Sequence, residues 1–213
     1  MLESSPPREG QLYVVSAPSG AGKTSLCKKV VAHVRNIRYS VSYTTRHKRP
    51  GEIDGVDYQF VESTQFREMI ENNEFLEYAE VHGNLYGTPR NGISTLIKQG
   101  QDVLLDIDAQ GAMQLKRKYK EGVYIYILPP SFEVLRDRLL ARKSDSPDEI
   151  SRRLKKAREE IWNYREYYYL VINDQFEEAF ENLKAIILAE RTKMKRMNFS
   201  WIEETFIKTK EGV

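Results

Sequence analysis

The 213 residues carry 33 Lys and Arg against 31 Asp and Glu, which gives a formal net charge of +2. That near balance argues against a dedicated nucleic-acid-binding protein, which normally has a large basic excess. Its length fits one large domain or a core with one or two inserted subdomains, and the 40% of hydrophobic residues is enough for a sizeable core. Cys27 is the single cysteine, so an intrachain disulfide and a multi-cysteine metal site are excluded.

Short strand-like runs alternate with helical patterns along most of the chain. Strands are predicted over residues 12–16, 103–108, 123–128 and 169–173, and helices over residues 24–34, 131–142, 146–167 and 175–197. Most of the strands are almost continuously apolar, as in parallel strands that are covered on both faces. The pattern therefore predicts an α/β fold with a mostly parallel sheet.

Residues 39–89 break this rhythm. Two runs, residues 39–45 and 57–61, alternate like antiparallel strands on either side of the turn-rich segment 49–55. We therefore predict a core formed by residues 10–38 and 90–213, and a small β-rich insertion formed by residues 39–89. Within the core, the polar region of about residues 138–153 is predicted to be a lid.

The strongest local signal joins the first predicted strand to the first predicted helix. It is the segment Ala17, Pro18, Ser19, Gly20, Ala21, Gly22, Lys23 and Thr24. Its two glycines let backbone N–H groups wrap around one anion, and the helix start adds partial positive charge. The lysine is expected to reach the β- and γ-phosphates of a nucleotide, and the threonine hydroxyl to bind Mg²⁺. The usual pattern begins with glycine where Ala17 stands, but the other requirements for a nucleoside triphosphate site are met.

The insertion carries side chains that suit a second, phosphorylated substrate. Arg46 and Arg49 can bind a phosphate through their guanidinium groups, and the Tyr58 hydroxyl can complete the shell. The Glu77 carboxylate suits guanine, because its two oxygens can accept from N1–H and the exocyclic amine, a pair of donors that adenine lacks. In isolation, the two arginines are equally well explained as a solvated loop pair.

Four segments carry a resemblance to a known family. SAPSGAGKTSL (residues 16–26), VSYTTRHKRPGEIDGVDYQFV (41–61), EFLEYAEVHGNLYGTPR (74–90) and LDIDAQG (105–111) resemble the guanylate kinase family, in the family's order. The resemblance extends from about residue 11 to residue 195. It implies a P-loop NTPase core with a parallel β-sheet flanked by helices, a small β-rich GMP-binding insertion and a helical lid. It also implies transfer of the γ-phosphoryl group of ATP to GMP, with Mg²⁺ as cofactor.

The resemblance assigns roles to individual side chains. Those implied to bind GMP are Ser42, Arg46, Arg49, Glu52, Tyr58, Glu77, Tyr86, Thr88, Asp106 and Asp108. Ser42 and Glu77 would read the guanine with Thr88 beside them, and the arginines and tyrosines would surround the phosphate. Asp106 and Asp108 would contact GMP or hold Mg²⁺ through water, although either carboxylate could instead cap the helix that follows.

The implied catalytic residues combine the phosphate loop, the insertion and the lid. They are Lys23, Arg46, Arg138, Arg142 and Arg153. The lid arginines would close over the ATP phosphates and stabilise the charge that develops during transfer. The alternative is that they are exposed helix-face charges, which is our interpretation of Arg136 and Arg152. The family usually has glycine where Lys143 stands, which leaves the lid geometry open.

Two other functions compete with a GMP kinase. A non-catalytic guanylate-kinase-like module would use the GMP pocket to bind a phosphorylated peptide, but such modules usually lose the phosphate loop. A related P-loop kinase with another acceptor is argued against by Glu77 together with Ser42. The polar, proline-bearing residues 1–10 and the absence of any run near 18 apolar residues predict a cytoplasmic protein with no membrane partner. The aromatic segment 198–213 is compatible with packing on the core or in a homo-oligomer.

Overall fold

The structure is a computed structural model that describes residues 8–81, 83–141 and 147–208. Its strands alternate with helices over most of this length. In chain order the strands are β1 (Leu12–Ser16), β2 (Ile37–Tyr39), β3 (Tyr43–Thr44), β4 (Gln59–Phe60), β5 (Phe75–Val81), β6 (Asn84–Pro89), β7 (Asp102–Asp106), β8 (Val123–Leu128) and β9 (Tyr169–Ile172).

Most of the helices pack around the larger of two sheets, and α2 covers the smaller one. The α-helices are α1 (Lys23–His33), α2 (Ser63–Glu71), α3 (Ile93–Lys98), α4 (Ala109–Lys118), α5 (Phe132–Ala141), α6 (Pro147–Ile161), α7 (Phe176–Arg191) and α8 (Phe199–Ile202). Short 3₁₀ segments cover Trp162–Glu166 and Met194–Arg196, and a π-helical turn covers Glu203–Ile207. In the described part of the chain, no helix combines the length and apolar character that crossing a bilayer requires.

The core sheet is parallel throughout, with the strand order β2-β7-β1-β8-β9. The α/β fold predicted from the sequence is therefore confirmed. The first strand lies in the middle, and its neighbours β7 and β8 follow much later in the chain. The connection from β1 runs to β2 on one side of the sheet, whereas the connection from β7 passes β1 to reach β8 on the other side. This reversal creates a crevice at the carboxyl ends of the strands, where open α/β sheets bind ligands.

Alternation along β1 divides the core between the two faces of the sheet. Tyr13 and Val15 face α1 and α7, where they join a cluster with Leu26, Val30 and Leu183. On the opposite face, apolar residues pack against α3 and α4, and they include Leu12, Val14, Leu105, Leu115 and Tyr124. All of these residues are buried. Covering both faces explains why this strand is apolar at nearly every position.

A second, four-stranded sheet with the order β4-β3-β6-β5 lies within the predicted insertion. Helix α2 covers it through Phe66 and Met69, which pack with Phe75. The ring centroids of Phe66 and Phe75 are 4.5 Å apart, in a stacked arrangement. The small sheet thus has an apolar cluster of its own. The division of the chain into two domains at residues 39 and 89 stays a prediction.

The prediction of one continuous strand over residues 39–45 is wrong. Tyr39 ends β2 in the core sheet, whereas Tyr43 begins β3 in the small sheet. The N–H of Ser40 still donates to the Leu104 carbonyl at 3.0 Å, so the chain crosses between sheets just after this point. The expected antiparallel pairing with residues 57–61 is also wrong, because β3 and β4 are parallel, with Tyr43 opposite Gln59. The long loop between them lets the chain return in the same direction.

Several predicted elements end earlier than expected. The strand predicted over residues 103–108 ends at Asp106, because Asp108 caps helix α4. The helix predicted over residues 146–167 is α-helical only to Ile161, and the one predicted over 175–197 ends at Arg191. The first continues directly into the 3₁₀ turn Trp162–Glu166, as helix ends often do. The second is separated from the 3₁₀ turn Met194–Arg196 by the extended Lys193. Residues 142–146, part of the predicted lid, lie outside the described residues.

Candidate active site

A cavity of about 600 Å³ opens between the carboxyl ends of the core strands and the small sheet. Most of the side chains selected from the sequence line it. They are Ala17, Pro18, Ser19, Gly20, Ala21, Gly22, Lys23, Thr24, Ser42, Arg46, Arg49, Glu52, Tyr58, Glu77, Tyr86, Asp106, Asp108 and Arg153. Thr88 lies behind the cavity wall and is fully buried. Arg138 is not part of the lining, and Arg142 and Lys143 lie outside the described residues.

The phosphate loop depends on glycine at its last turn. Gly20 and Gly22 have φ angles of 97° and 88°, in the left-handed region that disfavours side chains. Gly22 also directly precedes α1, and a Cβ there would lie 2.5 Å from Nδ2 of Asn173. That Nδ2 donates a hydrogen bond to the Ala21 carbonyl at 2.7 Å. Asn173 therefore ties the loop to the end of β9.

Lys23 points back at the strand edge rather than into solvent. Its ammonium forms an ion pair with the Asp106 carboxylate and donates to the Ile107 carbonyl at 2.9 Å. Burial alone disfavours the charged form, but the neighbouring Asp106 carboxylate raises the pKa of Lys23 above its ordinary value. The lysine is therefore held as a cation at the floor of the cavity.

The arginine cluster is held by Glu52. The two carboxylate oxygens accept from the Arg46 guanidinium at 2.7 and 3.0 Å, and one of them also accepts from the Arg49 N–H at 2.7 Å. Partial burial opposes ionisation, but the hydrogen bond from Arg46 lowers the pKa of Glu52. A bidentate pair of this kind fixes the guanidinium plane as well as its charge. The orientation of Arg46 is thus set before any ligand binds.

Aromatic rings support the same guanidinium. The Arg46 guanidinium carbon lies 5.5 Å from the centre of the Tyr58 ring, within the range of a cation–π contact. The rings of Tyr58 and Tyr86 meet edge to face with centroids 5.9 Å apart. Burial raises the pKa of Tyr58 to about 12, so its hydroxyl is a neutral donor at physiological pH. Cationic and neutral donors therefore converge on one side of the cavity.

Glu77 is the buried carboxyl of the small sheet and is only 3% exposed. Its Oε1 accepts from the Thr88 hydroxyl, which lies directly opposite in the β5–β6 ladder. Burial raises the pKa of Glu77 to about 7, and the Thr88 hydrogen bond opposes this rise only partly. The buried Ser42 lines the cavity as well. A carboxylate with a fixed orientation suits a ligand that offers adjacent N–H donors.

Helix α4 comes close to this carboxyl because it carries glycine. A Cβ at Gly111 would lie 2.2 Å from Glu77 Oε2, so any side chain there would displace the glutamate. The helix begins at Asp108, whose Oδ1 accepts from the N–H groups of Gln110 and Gly111 at 2.8 and 3.1 Å. Asp108 therefore caps helix α4, as the alternative interpretation of the sequence predicted, and it also lines the cavity.

The lid arginines differ in position. Arg153 is 6% exposed and donates to the Ser19 hydroxyl of the phosphate loop at 2.5 Å. Arg138 donates to the Asn173 carbonyl at 2.9 Å, and its other terminal nitrogen is buried without a hydrogen-bond partner among the described residues. Arg152 also lines the cavity, although its side chain is largely exposed and pairs with Glu149.

The residues of this region that the sequence did not indicate include Tyr39, Gly111, Glu160 and Asn173. The Tyr39 hydroxyl donates to Asp106 Oδ2 at 3.1 Å. Glu160 lines the cavity, and burial raises its pKa. Only the glycine carried a signal that could have been read, because an unbroken helix rarely includes glycine without a packing reason.

The donor set suits Mg²⁺ that arrives with a nucleotide. The Thr24 hydroxyl and the Asp106 carboxylate line the cavity beside Lys23 and supply the hard oxygen ligands that this ion prefers. Among the described residues, no group of three His, Cys, Asp or Glu side chains is arranged to hold a metal ion. Mg²⁺ needs only a few protein ligands when phosphates provide the others.

A phosphate loop at the edge of a parallel sheet shares one cavity with a carboxylate and arginine pocket. The fold and this cavity define a P-loop nucleotide phosphotransferase.

Comparison with known proteins narrows this class. The guanylate kinase family model matches residues 9–190. The guanylate kinases of Geobacter metallireducens and Geobacter sulfurreducens are each 53% identical over 190 residues, which cover 89% of this chain and 94% of theirs. The crystal structure of guanylate kinase from Anaplasma phagocytophilum superposes with a TM-score of 0.81 at 35% identity, covering 95% of this chain and 98% of that one. The chain belongs to the guanylate kinase family.

Proposed function

We propose that this chain transfers the γ-phosphoryl group of ATP to GMP, giving ADP and GDP. The observation that carries the proposal is the shared cavity: the phosphate loop around Lys23 and the pocket around Arg46 and Glu77 line the same 600 Å³. Two phosphorylated substrates bound in these places would meet without leaving the cavity. The guanylate kinase family membership and the intact Gly22-Lys23-Thr24 sequence argue against the non-catalytic binding module.

ATP is proposed to bind with its phosphates on Ala17–Thr24. Left-handed glycines and the start of α1 direct backbone N–H groups toward an anion, and Lys23 supplies a cation beside it. We propose that Thr24 and Asp106 hold Mg²⁺ that is bound to the nucleotide, the carboxylate acting through water. When bound, this ion neutralises charge on the β- and γ-phosphates.

GMP is proposed to bind in the small sheet. The ionised Glu77 would accept from N1–H and the exocyclic amine of guanine, with Ser42 and Thr88 beside it. The phosphate would lie against the pocket of Arg46, Arg49, Tyr58 and Tyr86, with Glu52 as the support. Asp108 lines the cavity near Glu77 and is assigned to the GMP side.

Transfer needs positioning more than acid–base chemistry. A GMP phosphate oxygen attacks the γ-phosphorus, a new O–P bond forms, and the bond to the oxygen bridging the β- and γ-phosphorus breaks as ADP leaves. The nucleophile is already anionic, so no strong general base is required. We propose that Lys23, Arg46, Arg138, Arg142 and Arg153 stabilise the charge that spreads over the transferring group.

The lid is proposed to close over this reaction. Arg153 already reaches the phosphate loop through Ser19, which supports a role at the ATP phosphates. Closure would exclude water and so favour GMP over hydrolysis. We further propose that the enzyme works in the cytoplasm on these small molecules, with no nucleic-acid partner.

An acceptor panel tests the function. Mg-ATP is combined with AMP, GMP, CMP, UMP or dGMP, and ADP release is followed in a coupled assay. GMP is expected to be the preferred acceptor, and Lys23→Met is expected to abolish transfer while the fold is retained. Preference for another base, or near-normal turnover of the variant, would contradict the proposal.

A further inference from the structure

Tyr39 lies one layer behind the cavity, at the carboxyl end of the edge strand β2. It packs against the apolar cluster beneath α1, and its hydroxyl donates a hydrogen bond to Asp106 Oδ2 at 3.1 Å. The residue is absent from the cavity lining. Within the described parts of the chain, its hydroxyl therefore reaches the site through a hydrogen bond to Asp106.

The Asp106 carboxylate has two different partners. Oδ1 forms the ion pair with Lys23, and Oδ2 accepts from Tyr39. Only 3% of the aspartate side chain is exposed, so bulk water contributes little to its solvation. Among the described residues, the phenol is thus a hydrogen-bonding partner that stabilises this carboxylate in addition to the lysine.

Lys23 has to exchange partners when a nucleotide binds. In the proposed binding of ATP to the phosphate loop, the part of the proposed function on which this inference rests, its ammonium leaves Asp106 and turns to the β- and γ-phosphates. A buried carboxylate that loses its counter-ion is costly unless other donors remain. Tyr39 is such a donor, and because it lies outside the cavity lining, a bound nucleotide is not expected to displace it.

We infer that Tyr39 is a positioning residue for the phosphate-loop lysine: by holding Asp106, it makes Lys23 easier to release to the nucleotide phosphates. Without the phenol hydroxyl, Asp106 would hold the lysine more strongly and would be less stable after its departure. Both effects weaken nucleotide binding. Burial, followed by the nearby Asp106 charge, raises the pKa of Tyr39 far above its ordinary value, which keeps the hydroxyl protonated as a donor.

A double-mutant cycle tests this inference without metal or acceptor. ADP binding in the absence of Mg²⁺ is measured by calorimetry for the wild type, Tyr39→Phe, Asp106→Asn and the double variant. We expect Tyr39→Phe to raise the Kd about three- to tenfold, since a hydrogen bond to a charged group is lost, and to have no further effect in Asp106→Asn. If the Asp106→Asn variant does not fold, the same cycle is measured with Lys23→Met in its place.

Tyr13→Phe is the matched control. Tyr13 is a buried tyrosine of the same sheet, and its hydroxyl donates to the Ile187 carbonyl of helix α7 at 3.0 Å. Its loss should lower thermal stability and leave the Kd for ADP unchanged. In turnover, Tyr39→Phe is expected to raise the KM for ATP by the same factor as the Kd and to leave the KM for GMP within about twofold.

Three results would overturn the inference: an unchanged or tighter Kd in Tyr39→Phe, an equal loss in the Asp106→Asn background, or a rise in the KM for GMP alone. The proposed function fails separately, because it is judged by GDP formation. A wild-type protein that forms no GDP but shows the coupling would disprove the kinase proposal and keep the role of Tyr39 in nucleotide binding.

Discussion

The carboxyl of Glu77 and the α-carbon of Gly111 lie so close that a methyl group at position 111 would come within 2.2 Å of Oε2. The glycine belongs to helix α4 and the glutamate to strand β5, so this contact joins the core to the small sheet. A glycine inside a helix normally costs about 1 kcal/mol relative to alanine. Here it provides the space that the predicted guanine reader occupies.

Gly111→Ala should therefore have opposite effects on helix α4, which it favours, and on GMP binding, which it weakens. The substitution favours the helix but pushes the Glu77 carboxylate out of position. We expect the KM for GMP to rise about tenfold or more, while the KM for ATP changes less than about twofold. Steady-state kinetics with each substrate varied in turn measures this. A variant with an unchanged KM for GMP would show that Glu77 can move without loss, against its assignment as guanine reader.

The raised pKa of Glu77 predicts that GMP binding depends on pH. Guanine needs the ionised carboxylate as an acceptor, and with a pKa of about 7 the protonated form prevails below neutrality. The Kd for GMP should rise about 30-fold from pH 8 to pH 5.5 through this one group. The phosphate of GMP also titrates in this pH range. Glu77→Gln is the control, because it removes the ionisation of the protein carboxyl and leaves that of the GMP phosphate. Parallel pH profiles for the two proteins would contradict the assignment.

The same carboxyl should make the ligand-free protein less stable at high pH. Its pKa rises from 4.5 in the unfolded chain to about 7 in the folded one, so the folded state binds the proton more tightly. The contribution of this group to the free energy of unfolding is therefore highest below about pH 4.5. It falls as the pH rises to about 7, by about 3 kcal/mol in all.

Glu77→Gln removes this penalty, because glutamine cannot ionise. Urea unfolding should show the variant to be more stable than the wild type by up to about 3 kcal/mol at pH 8, and by less than about 1 kcal/mol at pH 5. Glu80→Gln, at an exposed position of the same strand, should show no such difference. An advantage of the same size at both pH values would mean that packing, and not ionisation, is responsible.

Local patterns predicted much of the core, whereas contacts between distant segments were not predicted. The strand 12–16 and the phosphate loop that follows it could be predicted because their residues are neighbours in sequence. The three-residue strand β2 was missed, because it is short and includes the exposed Arg38. The pairs Tyr39–Asp106 and Glu77–Gly111 join segments 67 and 34 positions apart, respectively, and nothing local to either residue reveals its partner.

Arg46 tests the phosphate side of the acceptor pocket. Arg46→Ala removes the bidentate pair with Glu52 and leaves a carboxylate facing the proposed GMP phosphate. The KM for GMP should rise roughly 100-fold, with the KM for ATP near normal. Arg46→Lys keeps the charge but loses the fork, so an intermediate loss is expected. Arg136→Ala, at an exposed arginine, is the control, and equal losses in all three would indicate a general effect on the fold.

Gly22→Ala challenges the phosphate loop in two ways that can be separated. The left-handed backbone at this residue disfavours a side chain by about 1–2 kcal/mol, and the added Cβ would lie 2.5 Å from Asn173 Nδ2. Asn173→Ala removes the obstacle but also the hydrogen bond to the Ala21 carbonyl.

The cost of the clash with Asn173 is therefore measured by the interaction energy between the Gly22→Ala and Asn173→Ala substitutions. In thermal unfolding, the double variant should lose less stability than the sum of the two single variants, while the backbone part persists in both backgrounds. Additive losses would mean that the loop moves aside and that Asn173 does not confine it. ATP binding is expected to stay weak in the double variant, because relief of the clash restores neither the backbone geometry nor the Ala21 hydrogen bond.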